Sequence, residues 1–469
     1  MVIALVFFIS LILRINAEFE QCFADVETPY PYFSSRTPYF ASRTSDIEPE
    51  TDCTPTYIWA LIRHGTRYPG LKLINLVNQL YQLRNEIVLN HKEGRGELCQ
   101  KDIQNLENWK TNLTADLEYE LTFLGIDEEI FLAQKFKNAF PTLFESPTKD
   151  SFLFQSSAAK RTKDSAIAFT NELLGTNFSS TDNNNITVNE DLLHLNKHCP
   201  RYTKDVENNQ STYREVNLFK ESDVVENSIS NISSRLGYNQ SLEYDSVVLM
   251  YDMCSYEMAW YLNSRPAFCA AFLPEDLKIF EYLLDMSDYH VKGYGTPYSS
   301  KMGCVTVKDM VMSLENAARD PESTRKGTFY FSHSETILPT TVKLGLHQDT
   351  EPLLHDNYDE MKMHRKWKLA LFDSFAANII AVLYKCHSSN GVQDIVSFYQ
   401  NERKVVLPKC ASNPCTLEDL KQSFSDVFDE DKCNFEFCHA SEPLKPSAGY
   451  SSFINLSVFI VCTFVTYFV

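Results

Sequence analysis

Three short, continuously apolar runs, each stopping at a polar or charged turn, limit what this 469-residue chain can fold into. Residues 57–62 read YIWALI, residues 152–155 read FLFQ and residues 328–332 read TFYFS. Runs of this length without polar alternation fit strands buried on both faces. Helical periodicity appears at 71–83, 126–140, 160–174 and 367–384. Strands interleaved with helices predict an α/β sheet flanked by helices. At 44% hydrophobic residues the chain has ample material for such a core.

The rest divides around that sheet. Residues 18–52, rich in Pro, Ser, Thr and Tyr, predict an irregular arm on the surface. The α/β domain is expected over 53–174 and 303–407. Residues 175–302 contain few strand-like runs and predict an inserted, mainly α-helical cap. Residues 408–440 form a Cys-rich appendage.

Both ends point to the secretory pathway. Residues 1–17, MVIALVFFISLILRINA, read as a signal peptide, with a retained anchor as the alternative. Residues 441–469 end apolar with no basic flank, behind the small residues Ser447, Ala448 and Gly449. This resembles a GPI-attachment signal with Ser447 as the attachment point, which predicts a lipid-anchored protein on the extracellular face of the plasma membrane. A single tail-end transmembrane helix is the alternative.

Thirteen cysteines, of which only Cys462 lies in the tail, leave an even number for pairing in an oxidising lumen. The spacing of Cys410, Cys415, Cys433 and Cys438 also suits zinc, but export favours disulfides. N-glycans are expected at the sequons of Asn112, Asn177, Asn185, Asn209, Asn231 and Asn239. A formal charge of −19 excludes a nucleic-acid partner, and an anionic substrate needs a local basic pocket set against that field.

Such a pocket is signalled directly behind the first apolar run, where the chain reads Arg63-His64-Gly65-Thr66-Arg67-Tyr68-Pro69. Two arginines around a histidine at the carboxyl end of a buried strand place bidentate phosphate donors beside a nucleophile. The segment matches RHGxRxP, and the chain thereby resembles the histidine acid phosphatases. A second motif, Phe331-Ser332-His333-Ser334-Glu335-Thr336, follows the third run. It is similar to the HAE motif of the phytase-like, multiple inositol polyphosphate phosphatase branch, with Ser334 in place of Ala. Leu121-Thr122-Phe123-Leu124-Gly125 resembles the LTxxG segment, and Ala376-Ala377-Asn378 to Cys386 resembles the AN...VLYxC helix of that branch.

The resemblance implies a phosphoglycerate-mutase-like sheet with an inserted helical cap, and hydrolysis of phosphomonoesters through a phosphohistidine. It assigns His64 as nucleophile, Glu335 as proton donor and then base, and Arg63, Arg67, Arg161 and protonated His333 as phosphate ligands. It implies a Cys53 to Cys386 disulfide. Neither a metal nor another cofactor is implied, because four positive groups spread the phosphoryl charge. Inositol hexakisphosphate and lower inositol polyphosphates are the implied substrates, with 2,3-bisphosphoglycerate a further one. Extra phosphates call for extra cations, for which Lys72, Lys160, Arg365, Lys366 and Lys368 are candidates. The alternatives are a broad-specificity acid phosphatase and a non-catalytic cell-surface binding protein on the same fold.

Overall fold

The structure, a computed structural model, describes residues 22–439 apart from 28, 44–45, 148–149, 177–185, 263, 321–324 and 389–390. The signal peptide, the tail with Ser447 and Cys462, and the sequons Asn177 and Asn185 lie outside the described residues.

One sheet organises the chain. Its strands are β1 (Cys53–Arg63), β2 (Phe152–Ser156), β3 (Thr187–Val188), β4 (Gly327–Ser332), β5 (Asn378–Ser388), β6 (Gly391–Gln400), β7 (Arg403–Val405) and β8 (Cys415–Thr416). They lie in the order β3-β2-β4-β1-β5-β6-β7, with β8 also on β6. The β3, β2, β4 and β1 strands run parallel, and β5 joins β1 antiparallel. All three apolar runs are thus strands, and they are adjacent.

Alternate residues of β1 serve opposite layers. Ile58, Ala60 and Ile62 face a cluster containing Leu132 and Phe136 of helix α3 (Phe123–Ala139) and Phe169 of α4 (Lys160–Leu174). Trp59 and Leu61 face Val307 and Met310 of α8 (Pro297–Arg319) and Ile337 of α9 (Ser334–Leu344). Phe329 in β4 has the rings of Phe136, Phe144, Phe152, Phe154 and Phe169 between 5.2 and 6.4 Å away. Truncating such a side chain to Ala costs about 3–5 kcal/mol.

Residues 367–384 correct the sequence reading. The expected helix is only a short turn, Leu369–Phe372, and the chain then enters β5. Residues 379–384, IIAVLY, are buried between β1 and β6 on both faces, so no alternation marks them as a strand.

Beside the sheet, α1 (Val77–Lys92), α2 (Gln100–Asn108), α5 (Asp223–Arg235), α6 (Tyr244–Trp260) and α7 (Pro274–Lys292) share one apolar cluster. Two of these, α1 and α2, precede the stretch read as the cap. The boundary expected at 302/303 falls inside α8, whose packing belongs to the sheet. The described part of the N-terminal arm carries two short helical turns, Phe23–Asp25 and Tyr39–Ser42, and Phe33 and Tyr39 within it are fully buried.

Twelve cysteines pair as Cys22–Cys99, Cys53–Cys386, Cys199–Cys438, Cys254–Cys269, Cys304–Cys433 and Cys410–Cys415. Cys53 stands directly opposite Cys386 in the β1–β5 register. The four appendage cysteines are all in disulfides, so the zinc alternative falls. These crosslinks suit an oxidising, secretory or extracellular setting. Among the described residues no helix is long and apolar enough to cross a membrane.

Candidate active site

Strand register assembles the site. Arg63 is level with Ser332, and Ser156 is level with Phe331. The residues just past these three parallel strands, His64, Ser157 and His333, therefore meet in the crevice beyond the carboxyl ends. Backbone bonds continue the pairing there: His64 N donates to Ser332 O at 3.0 Å, and Ser157 N to Phe331 O at 3.1 Å.

Close backbone contact explains both the RHG turn and the LTFLG segment. A Cβ on Gly65 would lie 2.3 Å from Gly125 O, and one on Gly125 would lie 2.2 Å from Thr66 O. Only glycines permit this approach. Thr122 fastens it, donating through N and Oγ1 to Thr66 O while its Oγ1 caps α3 by accepting from Gly125 N. Buried Glu128 accepts from Thr66 N at 2.7 Å and Thr66 Oγ1 at 2.9 Å, and burial raises its pKa to about 7.

The held turn fixes the His64 tautomer. Nδ1 lies 2.9 Å from Gly65 O, which can only accept, so Nδ1 carries the proton and Nε2 carries the lone pair. Burial, followed by Arg63 and Arg161, pushes the pKa well below that of an ordinary histidine.

Three guanidiniums surround this ring. Arg63 donates through Nη1 to Ser35 O and Asp373 O, both at 2.6 Å. Arg67 donates to Tyr68 O at 2.9 Å and the Tyr256 hydroxyl at 3.3 Å. Arg161, in the first turn of α4, points Nη2 at His333 Nδ1, 3.1 Å away. The Nε atoms of all three are buried without a hydrogen-bond partner. All three guanidiniums lie close enough to lower the His64 pKa, and such a group of cations suits an anion with several acceptor oxygens.

His333 differs from the expectation in its charge. Its Nδ1 faces an arginine, which can only donate, and its Nε2 lies 2.9 Å from Ser157 Oγ. The ring is a neutral Nε2–H tautomer, and burial followed by Arg161 holds its pKa well below normal. His194 packs against it, with ring centroids 4.4 Å apart.

Glu335, one residue into α9, forms an ion pair with Lys292 at 3.1 Å, and Lys292 also reaches Asp288 at 3.1 Å. Burial opposes the carboxylate, but the Lys292 ammonium outweighs it and holds the Glu335 pKa far below the usual carboxyl range. Lys292 ends α7 and was not singled out from the sequence; only a contact across the fold links it to the HSE motif.

Of the other cation candidates, four have protein partners and Lys72 stands exposed. Arg365 is buried on Asp285 at 2.7 Å, and Lys368 faces Glu281. Lys160 pairs with Glu120 and Asp164, Lys366 bonds Gln348 O, and Lys72 is exposed. Among the described residues one group has metal-ligating types within reach, Cys22, Cys99 and Asp102. There the sulfurs are joined, and Asp102 accepts from Phe23 N and Ala24 N, so it is a structural knot.

The site can therefore bind a phosphoryl group between arginines and offer it a neutral imidazole nitrogen. Comparison with known proteins agrees. Residues 56–401 match the family model of the histidine phosphatase superfamily (branch 2). Multiple inositol polyphosphate phosphatase 1 of Drosophila melanogaster is 32% identical over 428 residues, 89% of each chain. The Homo sapiens protein of that name is 27% identical, covering 81% of this chain and 80% of its own. The structure of a multiple inositol polyphosphate phosphatase from Bifidobacterium longum, in complex with inositol hexasulfate, superposes with a TM-score of 0.64 at 17% identity, covering 86% of this chain and 100% of that one. With the family model spanning most of its length and the catalytic-end geometry in place, this chain belongs to the histidine phosphatase superfamily, branch 2.

Proposed function

We propose that the protein hydrolyses phosphomonoesters of inositol polyphosphates, inositol hexakisphosphate among them, through a phosphohistidine on His64. The observation that carries this reading is His64 itself: a buried neutral imidazole with its lone pair on Nε2, ringed by three arginines whose Nε donors lack partners. The relatives named for multiple inositol polyphosphates supply the substrate class.

Arg63, Arg67 and Arg161 spread the phosphoryl charge, and His333 donates from Nε2 or exchanges its Ser157 contact for the substrate. Nε2 of His64 then attacks phosphorus, forming the P–N bond as the P–O ester bond breaks. The leaving alkoxide needs a proton, and Lys292 keeps Glu335 ionised in the free protein. A phosphomonoester bound as its monoanion brings one. Passing it to Glu335 leaves a dianion among the arginines and an acid for the alkoxide. The resulting carboxylate later takes a proton from the water that cleaves the phosphohistidine.

The membrane and glycan readings extend this proposal. Asn112, Asn231 and Asn239 are exposed, which suits glycans, whereas Asn209 is half-buried and donates its side-chain amide to Asp205 O. A lipid anchor replacing the apolar tail places the enzyme at the cell surface.

Phosphate release from inositol hexakisphosphate by the secreted protein, with chelator present, tests the activity against His64→Ala. The wild type releases phosphate and the variant does not. Hydrolysis of aryl phosphates alone would overturn the substrate assignment, and an active His64→Ala the mechanism.

A further inference from the structure

Tyr119 occupies a backbone conformation that an aromatic residue rarely adopts, with φ at +56°. It is not a core residue, since 43% of it is exposed. The strain has an evident counterpart. Segment 119–121 pairs antiparallel with the RHGTRYP loop: Tyr119 N donates to Pro69 O, Tyr68 N donates to Glu120 O, and Arg67 bridges Leu121. This brings the ring beneath two guanidiniums at once, with Cζ of Arg67 at 4.9 Å and Cζ of Arg161 at 5.4 Å from its centroid. Its phenol rests on Gly70, where a Cβ would lie 2.4 Å from the hydroxyl oxygen.

We propose that Tyr119 is a positioning residue that holds Arg67 and Arg161 side by side for the phosphoryl group. Two like charges in one crevice repel, and burial together with Arg67 already lowers the Arg161 pKa to about 10. A carboxylate between them would relieve the repulsion but also neutralise the clamp and repel a phosphate. An aromatic face attracts both cations and leaves their charge available to the substrate. The acids around this pair have lysine partners: Glu120 and Asp164 pair with Lys160, and Glu335, which also acts on Arg161, pairs with Lys292. Strain at a functional site is retained when surrounding contacts over-determine it, as the ring's contacts do here.

The inference rests on the phosphatase reading, and the experiment separates the two. The full secreted chain is compared as wild type, Tyr119→Phe, Tyr119→Gly and Tyr119→Asn. Measured are kcat/KM for an aryl phosphate, Kd for inorganic phosphate by calorimetry, and Tm. Glycine and asparagine both tolerate the left-handed backbone, so Tm is expected to hold or rise in those variants. Their phosphate affinity and kcat/KM should each fall about tenfold, while Tyr119→Phe stays within about twofold of wild type. Glycine and asparagine variants with wild-type phosphate affinity would overturn the inference, as would losses that follow a falling Tm. An inactive wild type would overturn the phosphatase reading, while phosphate affinity across the series would still decide the role of Tyr119.

Discussion

The nucleophilic role proposed for His64 needs an uncharged ring, and its surroundings refuse it a charge. An ordinary imidazole titrates near 6.5 and is mostly protonated in acid. Here burial, Arg63 and Arg161 move that titration well down, so the neutral form persists as pH falls. The expected consequence is a kcat/KM for an aryl phosphate that stays level through pH 6.5, once the substrate's own ionisation is divided out. An acidic limb near 6.5 would show that His64 titrates freely. By linkage the same suppression makes acid destabilising. Below about pH 6.5 the unfolded chain binds protons at His64 and His333 that the folded site rejects. The proposed mechanism gives Glu335 two duties, and Glu335→Gln separates them. With an inositol phosphate the variant should lose roughly two to four powers of ten, because the alkoxide lacks its acid. An aryl phosphate needs no such proton, so the variant should give a burst of phenolate followed by slow turnover. Equal losses on both substrates without a burst would remove Glu335 as donor.

At the scale of elements, the β1 turn and the start of α3 act as one unit through two touching glycines. Gly125→Ala puts a methyl 2.2 Å from Thr66 O, which is backbone and has no rotamer to yield. The variant is expected to lose roughly 1–3 kcal/mol of stability and, by shifting His64, more activity than that alone implies. Unchanged thermal unfolding and turnover would show that the contact is loose. This junction was half legible in the sequence: RHGTRYP and LTFLG each stood out, but their contact did not. Strand β5 was misread because burial on both faces erased the alternation that separates a strand from a buried helix. Lys292 and Tyr119 were silent for another reason. Each is an ordinary residue type whose significance comes from tertiary contacts with Glu335 or with Arg67 and Arg161. The places of His64, Arg63, Arg67, His333 and Glu335 were legible because strand ends and motifs coincide, whereas Arg161 stood only on the family resemblance. The charge of His333 was not legible, since it depends on where Arg161 points.

Across the whole molecule, crosslinks join segments far apart in sequence. Cys53–Cys386 spans 333 residues and Cys199–Cys438 spans 239, so the first ties opposite ends of the domain and the second ties the appendage to the segment after α4. On the chain-entropy model closing loops this long contributes roughly 5–6 kcal/mol each. Cys53 stands at the start of β1 and His64 just beyond its end, eleven residues of extended strand apart from the bond. A Cys53→Ser, Cys386→Ser double variant should therefore unfold at markedly lower temperature while keeping wild-type kcat/KM below the transition. Loss of activity in the folded variant would mean that the disulfide shapes the site as well as the fold.

The proposed chemistry turns on a covalent phosphohistidine at His64, formed from an inositol phosphate. Rapid quenching of the wild-type enzyme during turnover of radiolabelled inositol hexakisphosphate, followed by peptide mapping, tests it most directly. An acid-labile, base-stable label is expected on the peptide carrying His64, absent from His64→Ala. Steady turnover with no label on that peptide, or a label that survives His64→Ala, would contradict it.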